Sequence, residues 1–109
     1  MGWTGNLSDP GISYNQILNN RVTHAEMTGI QIEGQHNSAN GNDIDNTLQF
    51  PIGCPARSYA DADGVRAFGI GHSISKNVIH GMLWNTPATQ NAHTDCLQTW
   101  GPLSNLSFD

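Results

Sequence analysis

A seven-residue shape that occurs three times constrains this chain more than anything else in it. The copies are Thr28-Gly-Ile-Gln-Ile-Glu-Gly34, Asp63-Gly-Val-Arg-Ala-Phe-Gly69 and Asp95-Cys-Leu-Gln-Thr-Trp-Gly101. Each reads small or apolar, long polar, small or apolar, then a variable residue and Gly. Eight residues past the closing glycines stand Asn42, Asn77 and Asp109, and the first two are followed at plus two by Ile44 and Ile79. Asn20 with Val22 carries the register backwards. A tandem repeat decides architecture, so it comes before any local reading.

Unit length narrows the choice. Asn20 to Asn42 is 22 residues, Asn42 to Asn77 is 35 and Asn77 to Asp109 is 32. The excess falls in one place, because Asn20 to Gly29 takes 9 residues whereas Asn42 to Gly64 takes 22 and Asn77 to Cys96 takes 19. A short unit with apolar alternation, a recurrent Asn and insertions at one corner predicts a solenoid of strands. Helical repeats fit badly, since 12 Gly, 5 Pro and many Asn, Ser and Thr leave no long 3.6-residue pattern.

On Asp63-Gly-Val-Arg-Ala-Phe-Gly69 with Ile74-Ser-Lys-Asn-Val-Ile-His80, and on His93-Thr-Asp-Cys-Leu-Gln-Thr-Trp-Gly101, the chain resembles the right-handed parallel β-helix proteins of the pectate-lyase-like superfamily. The resemblance spans residues 14–109 and implies an all-β right-handed parallel β-helix with coils of about 22 residues and two loop insertions. It says less about activity, because that superfamily holds polysaccharide lyases, uronate epimerases, glycoside hydrolases, phage tailspikes and adhesins.

The expected organisation is an unmatched segment or partial coil over 1–13 and coils over 14–109. About three and a half coils fit, near the minimum for a solenoid, and no cap is readable. The open ends are therefore expected to be covered by further β-helix coils, the chain being a fragment of a longer solenoid, or by another subunit. Inward residues are expected at Ile17, Val22, Ile30 and Ile32, then Ala39, Ile44, Val65 and Ala67, then Ile74, Ile79, Leu97, Thr99 and Leu106. Asn20, Asn42 and Asn77 are expected to stack as an asparagine ladder with a structural role.

With 9 acidic and 4 basic residues the net charge is −5, and no Lys/Arg cluster suits a phosphate backbone, which argues against nucleic acid. No apolar run approaches the roughly 20 residues of a membrane span, and the first residues have no signal-peptide pattern. A surface rich in Asn, Gln, Ser and Thr suits sugars, and an extracellular or cell-surface location is expected. Cys54 and Cys96 form no CxxC pair and are expected to be free, buried thiols.

Alternation along the repeated strand sets Gln31, Arg66 and Gln98 in one outward column and Glu33, Phe68 and Trp100 in the next. The first column offers hydrogen bonds and charge; in the second, Phe68 and Trp100 could stack on sugar rings or pack beneath a loop. The insertions, at about 47–61 and 82–92, would stand beside this face as a wall, with Tyr59 and Trp84 lining a groove suited to a polymer. Ahead of the strand lie two more columns: Glu26, Asp61 and His93, then Thr28, Asp63 and Asp95.

Strands on neighbouring coils lie about 4.8 Å apart, so Asp63 and Asp95 are expected to bring two carboxylates to roughly 5 Å, near Asp61 and His93. Three chemistries use such a cluster. The pair resembles the acid and nucleophile of a retaining glycosidase. Alternatively, Asp61, Asp63 and Asp95 would bind Ca²⁺, which neutralises a uronate carboxyl while His93 or Arg66 removes the adjacent proton, giving lyase or epimerase chemistry as the resemblance implies. Against these stands a plain reading, in which Asp at the start of a strand only caps a turn through backbone N–H groups. The expected function is uronate-polysaccharide processing of the lyase or epimerase kind; the alternatives are hydrolysis by Asp63 and Asp95, and a non-catalytic glycan-binding or structural solenoid. His72 and His80 are expected near solvent or ligand, and His24 and His36 without a partner.

Overall fold

The computed structural model describes residues 12–25, 28–45, 62–82, 94–99 and 103–109. Among the described residues twelve short strands run in chain order: β1 (Gln16–Leu18), β2 (Arg21–Thr23), β3 (Thr28–Ile32), β4 (Ser38–Asn40), β5 (Asp43–Asp45), β6 (Asp63–Ala67), β7 (Gly69–Ile70), β8 (Ser73–Ser75), β9 (Val78–His80), β10 (Leu97–Gln98), β11 (Leu103–Ser104) and β12 (Ser107–Phe108). All pairings of these twelve strands are parallel, and they build four sheets ordered β1-β4-β8-β12, β10-β6-β3, β11-β7 and β2-β5-β9. Each sheet takes one strand per coil, so the chain is a right-handed parallel β-helix.

Short strands need tight corners, and the sequence supplies them at five-residue spacing. Asn15 and Asn20, Asn37 and Asn42, and His72 and Asn77 each follow a residue of positive φ: Tyr14, Asn19, His36, Gly41, Gly71 and Lys76, with φ between 52° and 68°. The left-handed residue turns the chain and the next side chain points inward to bond the neighbouring coil. Asn20 N–H donates to Asn42 Oδ1 at 2.9 Å, and Asn42 N–H to Asn77 Oδ1 at 2.9 Å. The expected ladder is therefore present.

A second ladder runs beside it, and the sequence reading passed it over. Asn15 N–H donates to Asn37 Oδ1 at 2.8 Å, and Asn37 N–H meets His72 Nδ1 at 3.2 Å. Because Nδ1 accepts, His72 carries its proton on Nε2 and donates it to the Phe68 carbonyl oxygen at 2.8 Å. His72 is buried, not near solvent as expected; its imidazole spans two backbone groups as an asparagine amide would.

Inside the coils the columns stack like on like. Ile30, Val65 and Leu97 are in register, as are Ile17, Ala39, Ile74 and Phe108, and Val22, Ile44 and Ile79. Ile30, Ile32, Ala39, Ile44, Val65, Ala67 and Ile74 form the buried core, with Ile17, Val22, Ile79, Leu97 and Leu106 packed on it. Thr99, expected inside, is exposed.

The last coil departs from the expected register. Leu97 pairs with Val65, 32 residues back, but Leu103 pairs with Gly69 and Ser107 with Ser73, both 34 residues back. Two residues are added between Gln98 and Leu103. Asp109 consequently stands level with Ser75 and not with Asn77, and Leu106 stands level with His72, leaving Phe108 opposite Ile74. The insertions, Cys54 and the segment 1–11 lie outside the described residues. Cys96 is a free thiol, exposed where burial was expected. Among the described residues no helix is long and apolar enough to cross a membrane.

Candidate functional site

The outward side of β3, β6 and β10 has the geometry that most resembles a site. Gln31 and Gln98 each pair with Arg66, so the expected alignment is present, but Arg66, expected to face outward, is buried. Thr28 is level with Asp63, also as expected. Gln31 is exposed and its amide donates to the Glu33 carboxylate.

Strict alternation would put Asp63 and Arg66 on opposite faces, yet Arg66 Nε lies 2.7 Å from Asp63 Oδ2. The reason is Gly64. A Cβ there would come within 2.6 Å of Ile79 Cγ2 and 2.8 Å of the Cys96 carbonyl oxygen, so this position faces the core, as Val65 beside it does. Two consecutive inward residues bring the flanking Asp63 and Arg66 to one side, while the pairing with β3 keeps its register from Thr28–Asp63 to Ile32–Ala67. No side chain fits between the coils here, because one of the atoms it would meet is backbone.

Asp63 is 0% exposed and Arg66 6% exposed. Besides the guanidinium, the Asp63 carboxylate accepts the backbone N–H of Asp95 through Oδ1 at 3.0 Å, while Asp95 O accepts from Gly64 N–H at 2.8 Å. Asp63 thus ties two coils together by bonding backbone, which is the turn-capping role considered for it. Phe68 is 7% exposed, so of its two expected settings it has the packed one and offers no open face. Asp63 meets the Arg66 side chain and the Asp95 backbone N–H, and Gln98 is level with Arg66; His93, Asp61, Glu26, Trp100, Trp84 and Tyr59 lie outside the described residues. Among the described residues no group of three His, Cys, Asp or Glu is placed to hold a metal ion.

A second polar cluster, which sequence reasoning missed, covers the outward side of β2, β5 and β9. His80 Nε2 lies 2.7 Å from Asp43 Oδ1, and Arg21 reaches Asp45 Oδ2 at 3.3 Å through Nη2 and Asp43 Oδ2 at 3.9 Å through Nε. The Thr23 hydroxyl, the Arg21 guanidinium and His80 hold the Asp45 carboxyl below its ordinary value, against the upward push of burial. The signal was there to find, because Arg21 and Asp43 each follow a ladder asparagine by one residue and His80 follows Asn77 by three.

His36, for which no partner was expected, stacks on Tyr14 with ring centroids 5.2 Å apart and planes 14° from parallel. Both sit in the left-handed corner column, where their side chains are carried outward.

No protein-family model, curated protein or solved structure matches this chain. The fold defines its class as a parallel β-helix solenoid, an architecture used by carbohydrate-active proteins among others, and does not single out the pectate-lyase-like superfamily within that class.

Proposed function

We propose that this chain binds a polysaccharide along the outward side of β3, β6 and β10. The observation that carries the reading is the register that sets Gln31, Arg66 and Gln98 side by side on three coils. Strands repeat about every 4.8 Å, so Gln31 and the half-buried Gln98 stand about 10 Å apart with the enclosed Arg66 between them, a spacing that suits a polymer of repeating hydroxyls better than a compact ligand. Trp100, Trp84 and Tyr59 would add stacking faces beside it. An extracellular or cell-surface setting fits such a ligand.

A second reading is lyase or epimerase chemistry on a uronate, favoured by Asp63, which pairs with Arg66 and accepts the Asp95 backbone N–H. His93 would take the proton next to the uronate carboxyl, and Ca²⁺ held by Asp61, Asp63 and Asp95 would neutralise that carboxyl. Binding is preferred here over the lyase or epimerase chemistry expected from the sequence, because Asp63 and Arg66 already satisfy one another away from water. Hydrolysis by Asp63 and Asp95 would first require Asp63 to leave Arg66.

The test is a panel of neutral and uronate polysaccharides, with and without Ca²⁺, followed by calorimetry and by the ultraviolet absorbance of an unsaturated product. Binding without product is expected, weakened roughly fivefold by Gln31→Ala through the loss of about 1 kcal/mol of hydrogen bonding. No affinity for any polysaccharide would sink the proposal. Product that disappears in Asp95→Ala would instead support the lyase reading, and epimerisation would be followed as proton exchange at the uronate C5.

A further inference from the structure

The sheet β1-β4-β8-β12 takes one strand from each of four coils, and its outward side is unlike the other two described above. Ile17, Ala39, Ile74 and Phe108 are in register along its inner side. Side chains alternate on each short strand, so the residues flanking that column point out. Gln16 pairs with Ser38, Ser38 with Ser73 and Ser73 with Ser107, which makes one unbroken outward row. Leu18, Asn40 and Ser75 make the next, with Asp109 level with Ser75.

The first row is straight, low and uncharged. Its polar tips recur about every 4.8 Å over about 14 Å. Ser38 and Ser73 in its middle are short and half-buried, so they stand little above the backbone. Both are flanked by strands on either side, and the middle of the row would be the same in a longer stack. The ion pairs lie on other sheets, Asp63 with Arg66 on β6, and Arg21, Asp43, Asp45 and His80 on β2, β5 and β9. In the two rows only Asp109 carries a charge. Asn40 and Ser75 are matched to each other, since Ser75 N–H and Oγ–H donate to Asn40 Oδ1 at 3.1 and 2.9 Å. The second row is therefore a fixed border to the first.

We propose that the row Gln16, Ser38, Ser73 and Ser107 binds one extended chain of a neutral β-linked polysaccharide lying along the solenoid axis. Such a chain is a straight ribbon whose rings follow one another at close to the coil interval. Each coil then offers one ring a hydroxyl or an amide, groups that both donate and accept. A helically wound α-linked chain would leave the row after a coil or two. A uronate chain would find no cation in the row to offset the desolvation of its carboxylates. This face is separate from that of β3, β6 and β10, and the proposal does not need the reading of that face to hold.

The test is depletion of the full chain from solution by insoluble cellulose and mannan, made in a Gln31→Ala background so that the affinity measured belongs to a face other than that of β3, β6 and β10. Binding is expected, and added salt should leave it unchanged because no ion pair forms. Ser73→Lys is expected to weaken it at least roughly tenfold, since the long charged side chain removes the contact at its own coil and lifts the polymer from its neighbours. Far-ultraviolet dichroism verifies the fold, and Ser107→Lys, at an exposed position of the same row, replaces a Ser73→Lys chain that does not fold. No binding to either polymer, binding that falls steeply with salt, or a folded row variant that binds as its parent does would overturn the proposal. If Gln31→Ala alone binds as the wild type does while Ser73→Lys does not, this proposal stands and the reading of β3, β6 and β10 fails.

Discussion

Two charged clusters of similar composition occupy different sheets of this solenoid, and the chain treats them in opposite ways. On β6, Asp63 and Arg66 are enclosed, paired at 2.7 Å and tied to the backbone of the next coil. On β2, β5 and β9, Arg21, Asp43 and His80 lie open to water, with the Arg21 side chain 68% exposed. Both link residues from different coils. The difference is solvent: a buried ion left without its partner costs several kcal/mol, whereas an exposed pair contributes at most about 1 kcal/mol. The first cluster therefore holds the coils together, and the second decorates them.

The sharpest way to break that contrast is Arg66→Met, which leaves the Asp63 carboxylate buried without its cation. A loss of about 3–5 kcal/mol in denaturant unfolding is expected, and a loss below about 1 kcal/mol would put Asp63 in the same class as the exposed pairs. Next comes His72→Ala, which strands the Asn37 N–H and the Phe68 carbonyl and should cost about 1–3 kcal/mol. His72→Asn should recover part of that loss, since an amide oxygen can accept the same N–H; equal loss in both variants would show that imidazole volume, not the hydrogen bond, is what matters.

The smallest effect belongs to the open cluster. Arg21→Ala is expected to change stability by no more than about 1 kcal/mol, the range of exposed pairs. Its signature is instead in pH. The Asp45 carboxyl is held below its ordinary value in the folded chain, so its contribution is present above the ordinary carboxylate range near about 4 and is lost as pH falls through the lowered value. Thr23→Val, which removes the largest cause of the shift, should raise the Asp45 midpoint toward the ordinary value in a carbon-13 titration. An unmoved midpoint would contradict the assignment.

The coil architecture was legible because like residues recur at like places: Ile30, Val65 and Leu97 are recognisably one column, and so are Gln31, Arg66 and Gln98. What escaped had physical causes. Alternation alone could not reveal that Gly64 and Val65 both face inward, so the Asp63–Arg66 pair was invisible until the coils were stacked. Spacing by identity missed His72 because an imidazole stands where the other coils use Asn. It also carried the third unit straight through to Asp109, although two added residues after Gln98 shift everything that follows.

The central claim is that stacking the coils encloses Asp63 and Arg66 as a fixed pair while Arg21 stays solvated. Nuclear magnetic resonance of the arginine Nε–H groups tests it most directly. A slowly exchanging Arg66 Nε–H, whose protection collapses in Asp63→Asn, beside a rapidly exchanging Arg21 Nε–H is the predicted result; fast exchange at both would contradict it.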